Sequence, residues 1–578
     1  RRVPDRGRCE TAQLAPGARL DRAAGREPRR HRRPPGHARA AGESRSPLSV
    51  TAVRPRGAVR RLPVPLLAAA LLVGAAVALP GAYLLIVVAG DAGAAFEALW
   101  RERTLQLLLR SLALAGAVAA GATALALPLA WLTVRSDVPG RRTWAVLTVL
   151  PFVVPSYIGA YLFVAAFGPR GLLQDTLAGP LGIERLPSIY GFGGAFVVLT
   201  LFTYPLVLLP ARAALRRLDP ALEEAARGMG AGPWRVARTV VLPQLVPALG
   251  AGALLVALYT LSDFGAVSIL RFDSFTRVIH QSYRASFDRT GAAALAFLLV
   301  ALMVVLLALE GRVRRRGSYH RAAPGSIRPA ARAPLGRWKW PALAFLGALV
   351  AITLVLPVGV LIAWAWPDAS ESIAWGEIGE AAGNSLLTAG LAAGIAVLVA
   401  LPAARLGARY GGRRIVRAVD GAHHAGYALP HLVVALALVF LGIRVAPWAY
   451  QTLGMAVFAL VVLYVPLALG ALRATLLQVP PSLEEAARGM GRGPLAIGWT
   501  VLAPLTRAGI LAGAALVFLT AIKELPAMLL LAPTGFDTLA TLLWQQTSLS
   551  AYERAALPAL ALLLVSVPPL TLLLGRER

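Results

Sequence analysis

Cysteine, lysine and acidic residues are all scarce in this 578-residue chain. Its one cysteine, Cys9, excludes an internal disulfide and any metal site built from cysteines alone. Charged residues make up 15% of the chain and hydrophobic residues 57%, whereas a typical soluble domain is about 25% charged. The mean hydropathy is +0.65. This composition excludes an ordinary soluble domain and indicates that much of the chain faces lipid.

Basic residues exceed acidic ones by 58 to 29, which gives a formal net charge of +29. The only lysines are Lys339 and Lys523, so the excess is nearly all arginine. Cytoplasmic arginines of a membrane protein account for this charge, and we predict a lipid bilayer and no nucleic acid as a partner. Residues 1–62 hold 17 arginines against 5 acidic residues and show no helical period. We predict that they form a disordered basic cytoplasmic tail.

Apolar runs of about 20 residues recur along the chain, and a helix of that length crosses about 30 Å of hydrocarbon. Because lipid offers the backbone no hydrogen-bond partners, these runs should be helical. We therefore predict an all-α polytopic membrane protein with twelve transmembrane helices. Their positions are roughly 65–89, 108–133, 144–168, 189–210, 245–268, 291–310, 341–366, 384–404, 418–442, 447–470, 505–530 and 554–575.

Arginines gather in alternate loops, as in loops that face the cytoplasm. They include Arg135, Arg141, Arg142, Arg212, Arg216, Arg217 and Arg312 in the first half, and Arg405, Arg409, Arg413, Arg473 and Arg488 in the second. The stretch PDASESIAWGEIGEAA, after the seventh predicted span, is acidic and has no arginine or lysine. The pattern predicts a multi-pass protein of the cell membrane with both termini in the cytoplasm. One predicted external loop, 271–290, departs from it with Arg271, Arg277, Arg284 and Arg289.

The nine residues LEEAARGMG occur twice, at 222–230 and 483–491, an offset of 261 residues. At the same offset Pro205 matches Pro466 and Arg212 matches Arg473. The chain is therefore predicted to contain two parallel six-helix repeats. The predicted divisions are a first repeat at 63–310 with its core at 105–310, a basic linker at 311–338, and a second repeat at 339–578 with its core at 380–575.

Each LEEAARGMG stretch lies in a loop, 215–243 or 476–504, that is predicted to be a short helix, a glycine turn and a second short helix. In the first loop Pro220 can open the helix, with Asp219 as its N-cap. Glycines then end it. The stretch PWRVARTVVLP should form the second short helix and stop at Pro243, where the next span begins.

These loops resemble the signature loop of the membrane subunits of ATP-binding-cassette (ABC) importers, which reads Glu-Ala-Ala, three residues, Gly, nine residues, Ile-x-Leu-Pro. Here Glu224-Ala225-Ala226 and Gly230 precede Val240-Val241-Leu242-Pro243, and Glu485-Ala486-Ala487 and Gly491 precede Val501-Leu502-Ala503-Pro504. Ala503 replaces the family's leucine. The resemblance covers most of the chain and implies a type I ABC importer permease fold.

The resemblance also implies that loops 215–243 and 476–504 are coupling loops, each docked on one of two ATPase subunits. The implied coupling residues are Glu223, Glu224, Ala225, Ala226, Gly228 and Gly230, and Glu484, Glu485, Ala486, Ala487, Gly489 and Gly491. Glu224 and Glu485 would bond the ATPase surface, while Gly230 and Gly491 would permit the turn. The sequence contains no Gly-x-x-x-x-Gly-Lys-Ser/Thr, so ATP would bind a partner. The chain itself would hold no cofactor and be no enzyme, and an external solute-binding protein would deliver the substrate.

Within this family the chain looks most like the iron(III) permeases, over residues 261–270 (LSDFGAVSIL) and 523–544 (KELPAMLLLAPTGFDTLATLLW). The expected substrate is iron(III). Permeases for thiamine and aminoethylphosphonate are near relatives, so import of those or of another small solute is an alternative. A secondary transporter also has twelve spans in two parallel repeats, but it needs no repeated cytoplasmic helix. A membrane scaffold would explain the basic tail and not the repeat.

Asp263 and Glu524 occupy matching places in the two repeats, near the outer end of the span that follows each loop. They could favour a cation on the translocation path, or they could cap helix ends or pair with Lys523 or an external arginine. Tyr157, which follows Pro155, could line the same path or simply pack in a kinked helix.

Asp420, His424, Tyr427 and His431 follow a spacing that would place them on one stripe of a single helix. Carboxylate and imidazole groups could hold a metal in transit. Asp420 and His424 fall near the cytoplasmic interface, however, where polar residues are common. We predict no metal site, and we assign His424 and His431 to the translocation path together with Asp263, Glu524 and Tyr157.

Overall fold

The computed structural model describes residues 62–168, 187–284, 288–316, 332–365, 375–424, 426, 429–549 and 551–574. The predicted tail, apart from Leu62, lies outside these residues, as does most of the predicted linker. The described residues form α-helices, a few short 3₁₀ and π turns, and no β-strand. This agrees with the predicted all-α class.

The helices are numbered here in chain order. In the first repeat they are α1 (Val64–Gly90), α2 (Ala92–Leu99), α3 (Glu102–Arg135), α4 (Arg141–Leu147), α5 (Ser156–Phe167), α6 (Phe192–Thr203), α7 (Pro205–Arg217), α8 (Pro220–Gly228), α9 (Pro233–Val236), α10 (Leu242–Ser262), α11 (Gly265–Ile269), α12 (Phe275–Arg284) and α13 (Arg289–Arg316). In the second they are α14 (Lys339–Val350), α15 (Leu356–Ala365), α16 (Trp375–Tyr410), α17 (Arg414–His424), α18 (His431–Arg444), α19 (Leu453–Leu476), α20 (Pro481–Gly489), α21 (Pro494–Ile497), α22 (Ala503–Ala521), α23 (Pro526–Leu531), α24 (Leu539–Ser548) and α25 (Tyr552–Leu574).

Fewer helices cross the membrane unbroken than the twelve predicted spans. The described residues contain nine helices long and apolar enough to cross, or ten if a bent pair counts as one span. That pair occupies the third predicted span, where Arg141–Val153 and Ser156–Phe167 meet at 92°. The ninth predicted span is divided between α17 and α18. Pro155 and Pro430 explain both breaks, because proline lacks an N–H group and disfavours helix in the residue before it.

Each repeat is built on three helices that pack against one another: α3, α7 and α10 in the first, and α16, α19 and α22 in the second. The repeats also interlock, because α1 of the first packs against α16, α17 and α18 of the second. Two equivalent glycines permit the closest approach. A Cβ at Gly252 would lie 2.7 Å from Cα of Val207, and one at Gly513 would lie 3.3 Å from Cα of Ala468.

The second short helix predicted in each loop does not stop at its proline. Instead α9 continues through a π turn, Ala237–Val241, into α10, and α21 continues through Gly498–Leu502 into α22. In each turn the residue before the proline donates its N–H to a carbonyl five residues back, Leu242 to Ala237 and Ala503 to Gly498. The wider turn accommodates the proline ring without ending the helix. The coupling loop is therefore continuous with a membrane-spanning helix.

Substituting Gly252 with alanine should destabilise the protein, although alanine normally favours a helix interior by roughly 0.5–1 kcal/mol. The added methyl group would overlap the backbone of α7, and overpacking of this kind costs about 1–3 kcal/mol. Gly390→Ala is the matched control, since Gly390 also lies inside a long helix and has nothing within 4 Å of its built Cβ. Thermal unfolding in detergent should show a lower midpoint for Gly252→Ala alone. Equal midpoints would contradict the close approach.

Candidate coupling loops and translocation site

Helix α8 of the first coupling loop is capped at both ends. Asp219 is its N-cap, as predicted, and accepts a hydrogen bond from the Ala221 N–H at 3.0 Å. At the other end the Ala231 N–H donates to the Ala226 carbonyl at 3.0 Å, and the Gly230 N–H donates to the Arg227 carbonyl at 2.9 Å. These two bonds form a Schellman motif, in which Gly230 has a φ of +85° that glycine adopts without strain.

The second coupling loop repeats this turn. The Arg492 N–H donates to the Ala487 carbonyl at 3.1 Å, the Gly491 N–H donates to the Arg488 carbonyl at 2.9 Å, and Gly491 has a φ of +78°. Gly228 and Gly489 are the last residues of α8 and α20. The nine identical residues therefore form the same rigid helix and turn twice.

The two adjacent glutamates of each loop have different surroundings. Glu484 is 2% exposed and is held by two arginines of α16, with Arg405 at 2.9 Å and Arg409 at 2.7 Å. Arg488 of its own helix lies 3.3 Å away. Burial opposes ionisation of Glu484, but the hydrogen bonds from Arg409 and Arg405 outweigh it and lower the pKa of the carboxyl. Glu484 therefore joins the loop to the end of a spanning helix.

Glu223 makes the corresponding contact in the first repeat. Its carboxylate lies 3.1 Å from Arg135, in the last turn of α3, and 3.6 Å from Arg227. Its side chain is 15% exposed. We refer to Glu223 and Glu484 as the anchor glutamates, because both are engaged within the chain. Sequence reasoning grouped them with the glutamates that face a partner, since nothing in LEEAARGMG distinguishes the two carboxylates.

Glu224 and Glu485, here called the outer glutamates, are exposed. Ala225 and Ala486 are also exposed, whereas Ala226 and Ala487 are buried against the protein. Large apolar side chains surround the outer glutamates on the loop surfaces. They are Leu222, Met229 and Trp234 in the first loop, and Leu483, Met490, Leu495 and Trp499 in the second, with Trp234 79% and Leu495 81% exposed. Apolar groups concentrated on a rigid loop around a carboxylate are typical of a protein-docking surface.

Asp263 lies at the far end of α10 from its coupling loop and is buried, 7% exposed. Its carboxylate accepts a hydrogen bond from the Ser156 hydroxyl, at the start of α5. It also accepts from the backbone N–H groups of Ala266 at 3.0 Å and Val267 at 3.3 Å, which caps α11. The predicted cap is present, and the carboxylate is buried within the protein.

Glu524 lies at the end of α22 in the second repeat and is 4% exposed. It accepts a hydrogen bond from the Tyr464 hydroxyl and from the Ala527 N–H at 3.3 Å, and its carboxylate lies 2.8 Å from Nδ1 of His431. The His431 side chain is 37% exposed, so it is the accessible member of this group. His431 also interacts electrostatically with Asp263. The imidazole is therefore bonded to the acid of the second repeat and lies within electrostatic range of the acid of the first.

Tyr157 and Lys523 join the repeats beside these acids. The Tyr157 hydroxyl donates to the Lys523 carbonyl at 3.4 Å, and Lys523 Nζ donates to the Phe152 carbonyl at 3.2 Å while lying over that ring. Tyr157 is 4% exposed and packs closely on Gly265. We call Ser156, Tyr157, Asp263, His431, Tyr464, Lys523 and Glu524 the polar cluster.

The predicted stripe of Asp420, His424, Tyr427 and His431 on one helix is wrong. Helix α17 ends at His424 and α18 begins at His431, because Pro430 interrupts the helix. Tyr427 lies outside the described residues. Asp420 forms an ion pair with Arg473, and His424 lies near Asp420 on α17, whereas His431 belongs to the polar cluster. Of the two histidines assigned to the path, only His431 lies beside the acids.

Sequence reasoning missed Ser156 and Tyr464, although one signal for the serine was available. Ser156 follows Pro155 at the start of α5, and His431 follows Pro430 at the start of α18. The two residues take equivalent places in the repeats, and each bonds the acid of its own repeat. No spacing pattern marks Tyr464, which reaches Glu524 from the middle of an apolar helix.

Two interlocked helical repeats, each with a rigid exposed loop continuous with a spanning helix, define a two-fold repeated membrane permease. The chain belongs to the family of binding-protein-dependent transport system inner membrane components, whose model matches residues 122–318 and again 381–574. It is thus a multi-pass inner-membrane permease subunit and not itself an enzyme, as the sequence predicted.

Three relatives illustrate the similarity. The Fe(3+)-transport system permease protein FbpB 2 of Haemophilus influenzae is 32% identical over 519 residues, which cover 89% of this chain and 98% of the relative. The molybdenum transport system permease protein ModB of Escherichia coli is 31% identical over 187 residues, 31% of this chain and 80% of the relative. The sulfate transport system permease protein CysT of Escherichia coli is 30% identical over 197 residues, 32% of this chain and 70% of the relative.

Replacing the anchor glutamate Glu484 with glutamine should loosen the second coupling loop. It would leave Arg405 and Arg409 buried without their charge partner, and breaking a buried ion pair in this way costs about 3 kcal/mol or more. Trypsin cleavage after Arg488 and Arg492 should become at least about tenfold faster. Glu485→Gln makes the same chemical change on the exposed side of the helix and should leave the rate nearly unchanged.

The same experiment has a pH signature. Because the folded-state pKa of Glu484 is lowered, its stabilisation is complete above the unfolded-state pKa and is lost as pH falls through the folded-state value. The difference between the original chain and Glu484→Gln should therefore shrink on acidification. Equal cleavage rates for the two variants at neutral pH would show that the ion pairs do not hold the loop.

Proposed function

We propose that this permease is the membrane subunit of an ATP-driven ABC importer and that one ATPase subunit docks on each of its two coupling loops. The observation that carries this is the pair of matching short helices, each closed by the same glycine turn and each with an exposed glutamate on a loop that also exposes large apolar side chains. ATP would bind and be hydrolysed on the partner subunits. One polypeptide would supply both halves of the translocation path.

The anchor glutamates give the loops a way to transmit force. Glu484 joins α20 to α16 through Arg405 and Arg409, and Glu223 joins α8 to α3 through Arg135. A displacement of either loop would therefore be passed to a spanning helix, through charge-assisted hydrogen bonds at Glu484 and through an ion pair at Glu223. The outer glutamates and their apolar neighbours are exposed on the loop surfaces, where we propose that the ATPase docks.

The polar cluster lies at the far ends of two helices that would move with the coupling loops. Helices α10 and α22 each run from a coupling loop to one acid, about 30 Å away for a 20-residue helix. Because Asp263 and Glu524 belong to one polar cluster at the far ends of these helices, we infer that both coupling loops lie at the opposite end. We infer that this end is cytoplasmic, with both chain termini, and that an external solute-binding protein delivers the substrate at the other.

Iron(III) is the substrate we propose. The relative that matches this chain along nearly its whole length is named for Fe(3+) transport, and the polar cluster offers carboxylates, phenols and an imidazole. The relatives named for molybdenum and sulfate match only one repeat's length of the chain. Thiamine, aminoethylphosphonate and other small solutes remain alternatives that a direct uptake measurement separates.

Changing both outer glutamates to alanine should uncouple the transporter without unfolding it. The expected result is normal membrane insertion, weaker binding of the ATPase subunits and at least about a tenfold loss of ATP-dependent uptake, since charge-assisted bonds across an interface are each worth about 1.5–3 kcal/mol. Gly230→Pro should have a similar effect, because proline cannot adopt the φ of +85°. Uptake and pull-down of the ATPase should be measured on the same preparation.

A matched control is the double change Glu97→Ala and Glu377→Ala, which removes one exposed glutamate from each repeat outside the coupling loops. It should leave ATPase binding and uptake intact. If the outer-glutamate variant retains full uptake, the loops are not the docking sites.

The substrate is tested in proteoliposomes that contain the permease, its ATPase and its binding protein. Radioactive iron(III), thiamine, aminoethylphosphonate, sulfate and molybdate are offered separately, and we expect only iron to accumulate when ATP is inside. Accumulation should persist when ionophores remove all ion gradients. Loss of uptake on removing the gradients, with ATP present, would identify a secondary transporter.

A further inference from the structure

The basic external loop that departs from the charge pattern of the other loops lines a cavity between the two repeats. This cavity has a volume of about 310 Å³, within the range of small-ligand sites. Arg271, Arg277 and His280 of the first repeat form one side, and Trp544, Ser548 and Tyr552 of the second form the other. None of the described residues that line it is acidic. Phe264, the neighbour of Asp263, is part of its wall, so the cavity adjoins the polar cluster.

The positive charge belongs to one repeat only. In this region FDSF (272–275) matches FDTL (536–539), an offset of 264 residues. The same register pairs Arg271 with Gly535, Arg277 with Thr541, and Arg284 with Ser548. The two repeats nevertheless have equivalent hydrogen bonds in this region. The Phe275 N–H donates to Ser111 in the first repeat, and the Leu539 N–H donates to Ser385 in the second. The arginines are therefore not needed to build this part of a repeat.

Arg271 also has an unfavourable backbone conformation. Its φ is +54°, and its counterpart Gly535 has a φ of +80°. Glycine adopts this region freely, whereas arginine does so at a cost in free energy. A strained non-glycine residue at a position where the other repeat has glycine indicates that its side chain has a use. That guanidinium lies 4.9 Å from the centre of the Tyr190 ring, beside the cavity.

We propose that this cavity is an anion-binding vestibule and that the substrate enters the permease in a negatively charged form. Arginine binds the oxygen atoms of an anion through charge-assisted hydrogen bonds, and a cleft lined by one sign of charge concentrates the opposite ion. Asp273 pairs with Arg277 and offsets part of its charge, but Asp273 does not line the cavity, and no acidic residue pairs with Arg271 among the described ion pairs. Uncomplexed iron(III) would be repelled here, whereas an oxygen-rich anionic chelate of iron(III) or a free oxyanion would be attracted. The inference rests on the proposed importer function.

The test measures equilibrium binding of radioactive iron(III)–citrate, sulfate and molybdate to the full chain, assembled with its ATPase in nanodiscs. The variants copy the second repeat: Arg271→Gly, Arg277→Thr, and as the control Arg284→Ser, which lies on α12 and does not line the cavity. Arg271→Gly should weaken binding of the anionic probe roughly tenfold or more. It should not lower the thermal unfolding midpoint, because glycine relieves the strain. Arg277→Thr should weaken binding similarly, and Arg284→Ser should not.

The probes distinguish an anionic chelate of iron(III) from a free oxyanion as the bound substrate. Binding of iron(III)–citrate supports the vestibule together with the proposed substrate. Binding of sulfate or molybdate alone supports the vestibule and contradicts iron(III). Unchanged binding in Arg271→Gly and Arg277→Thr, with folded and assembled protein, would overturn the proposal even if ATP-dependent uptake is normal. Weaker association with the binding protein, without any change in anion binding, would also overturn it. Failure of the importer function itself would appear separately, as loss of ATP-dependent uptake in the unmodified chain.

Discussion

A helix that ends inside a bilayer must have its free N–H and C=O groups satisfied by the protein, because lipid cannot bond them. This constraint explains where the polar residues of the permease lie. Helices α10 and α22 end within the protein, and Asp263 and Glu524 supply acceptors to the short helices that follow. A carboxylate brought in as a helix cap then needs partners of its own, and Ser156, Tyr464 and His431 provide them. A structural requirement has thereby placed one acid from each repeat in the same polar cluster.

The same reasoning applies at the other end of these helices. A coupling loop that merely rested on the bilayer surface could move without moving the spans. The anchor glutamates remove that freedom, since each is nearly or fully buried and bound to arginine at the end of α3 or α16. The π turns at Ala237–Val241 and Gly498–Leu502 add a second connection, because they keep the loop continuous with α10 and α22. Each loop is thus joined to two helices of its repeat.

The sequence predicted most of the frame and only part of the site. Hydropathy, arginine distribution and the 261-residue offset were sufficient for the all-α class, the two repeats and the capped coupling helices. They were not sufficient for the breaks near Pro155 and Pro430, or for the continuity through Pro243, because the effect of a proline depends on whether a π turn can accommodate it. The resemblance assigned the bond with the ATPase to Glu224, but the ion pair of Glu223 within the chain was beyond the sequence. It depends on which carboxylate meets Arg135, a residue of a different helix.

Because both repeats belong to one chain, their facing side chains can differ, which is impossible for a pair of identical subunits. In a symmetric dimer every residue facing the axis occurs twice, so equal charges face each other. Here the repeats keep equivalent backbones while their facing side chains differ: Ser156 corresponds to His431, and Arg271 corresponds to Gly535. An imidazole can then partner the acid of one repeat while a serine partners the acid of the other, and one side of the cavity can be basic while the other is aromatic and polar. An ion passing along such a path meets unlike groups on its two sides, so a weak attraction can hold it without matched charges closing around it.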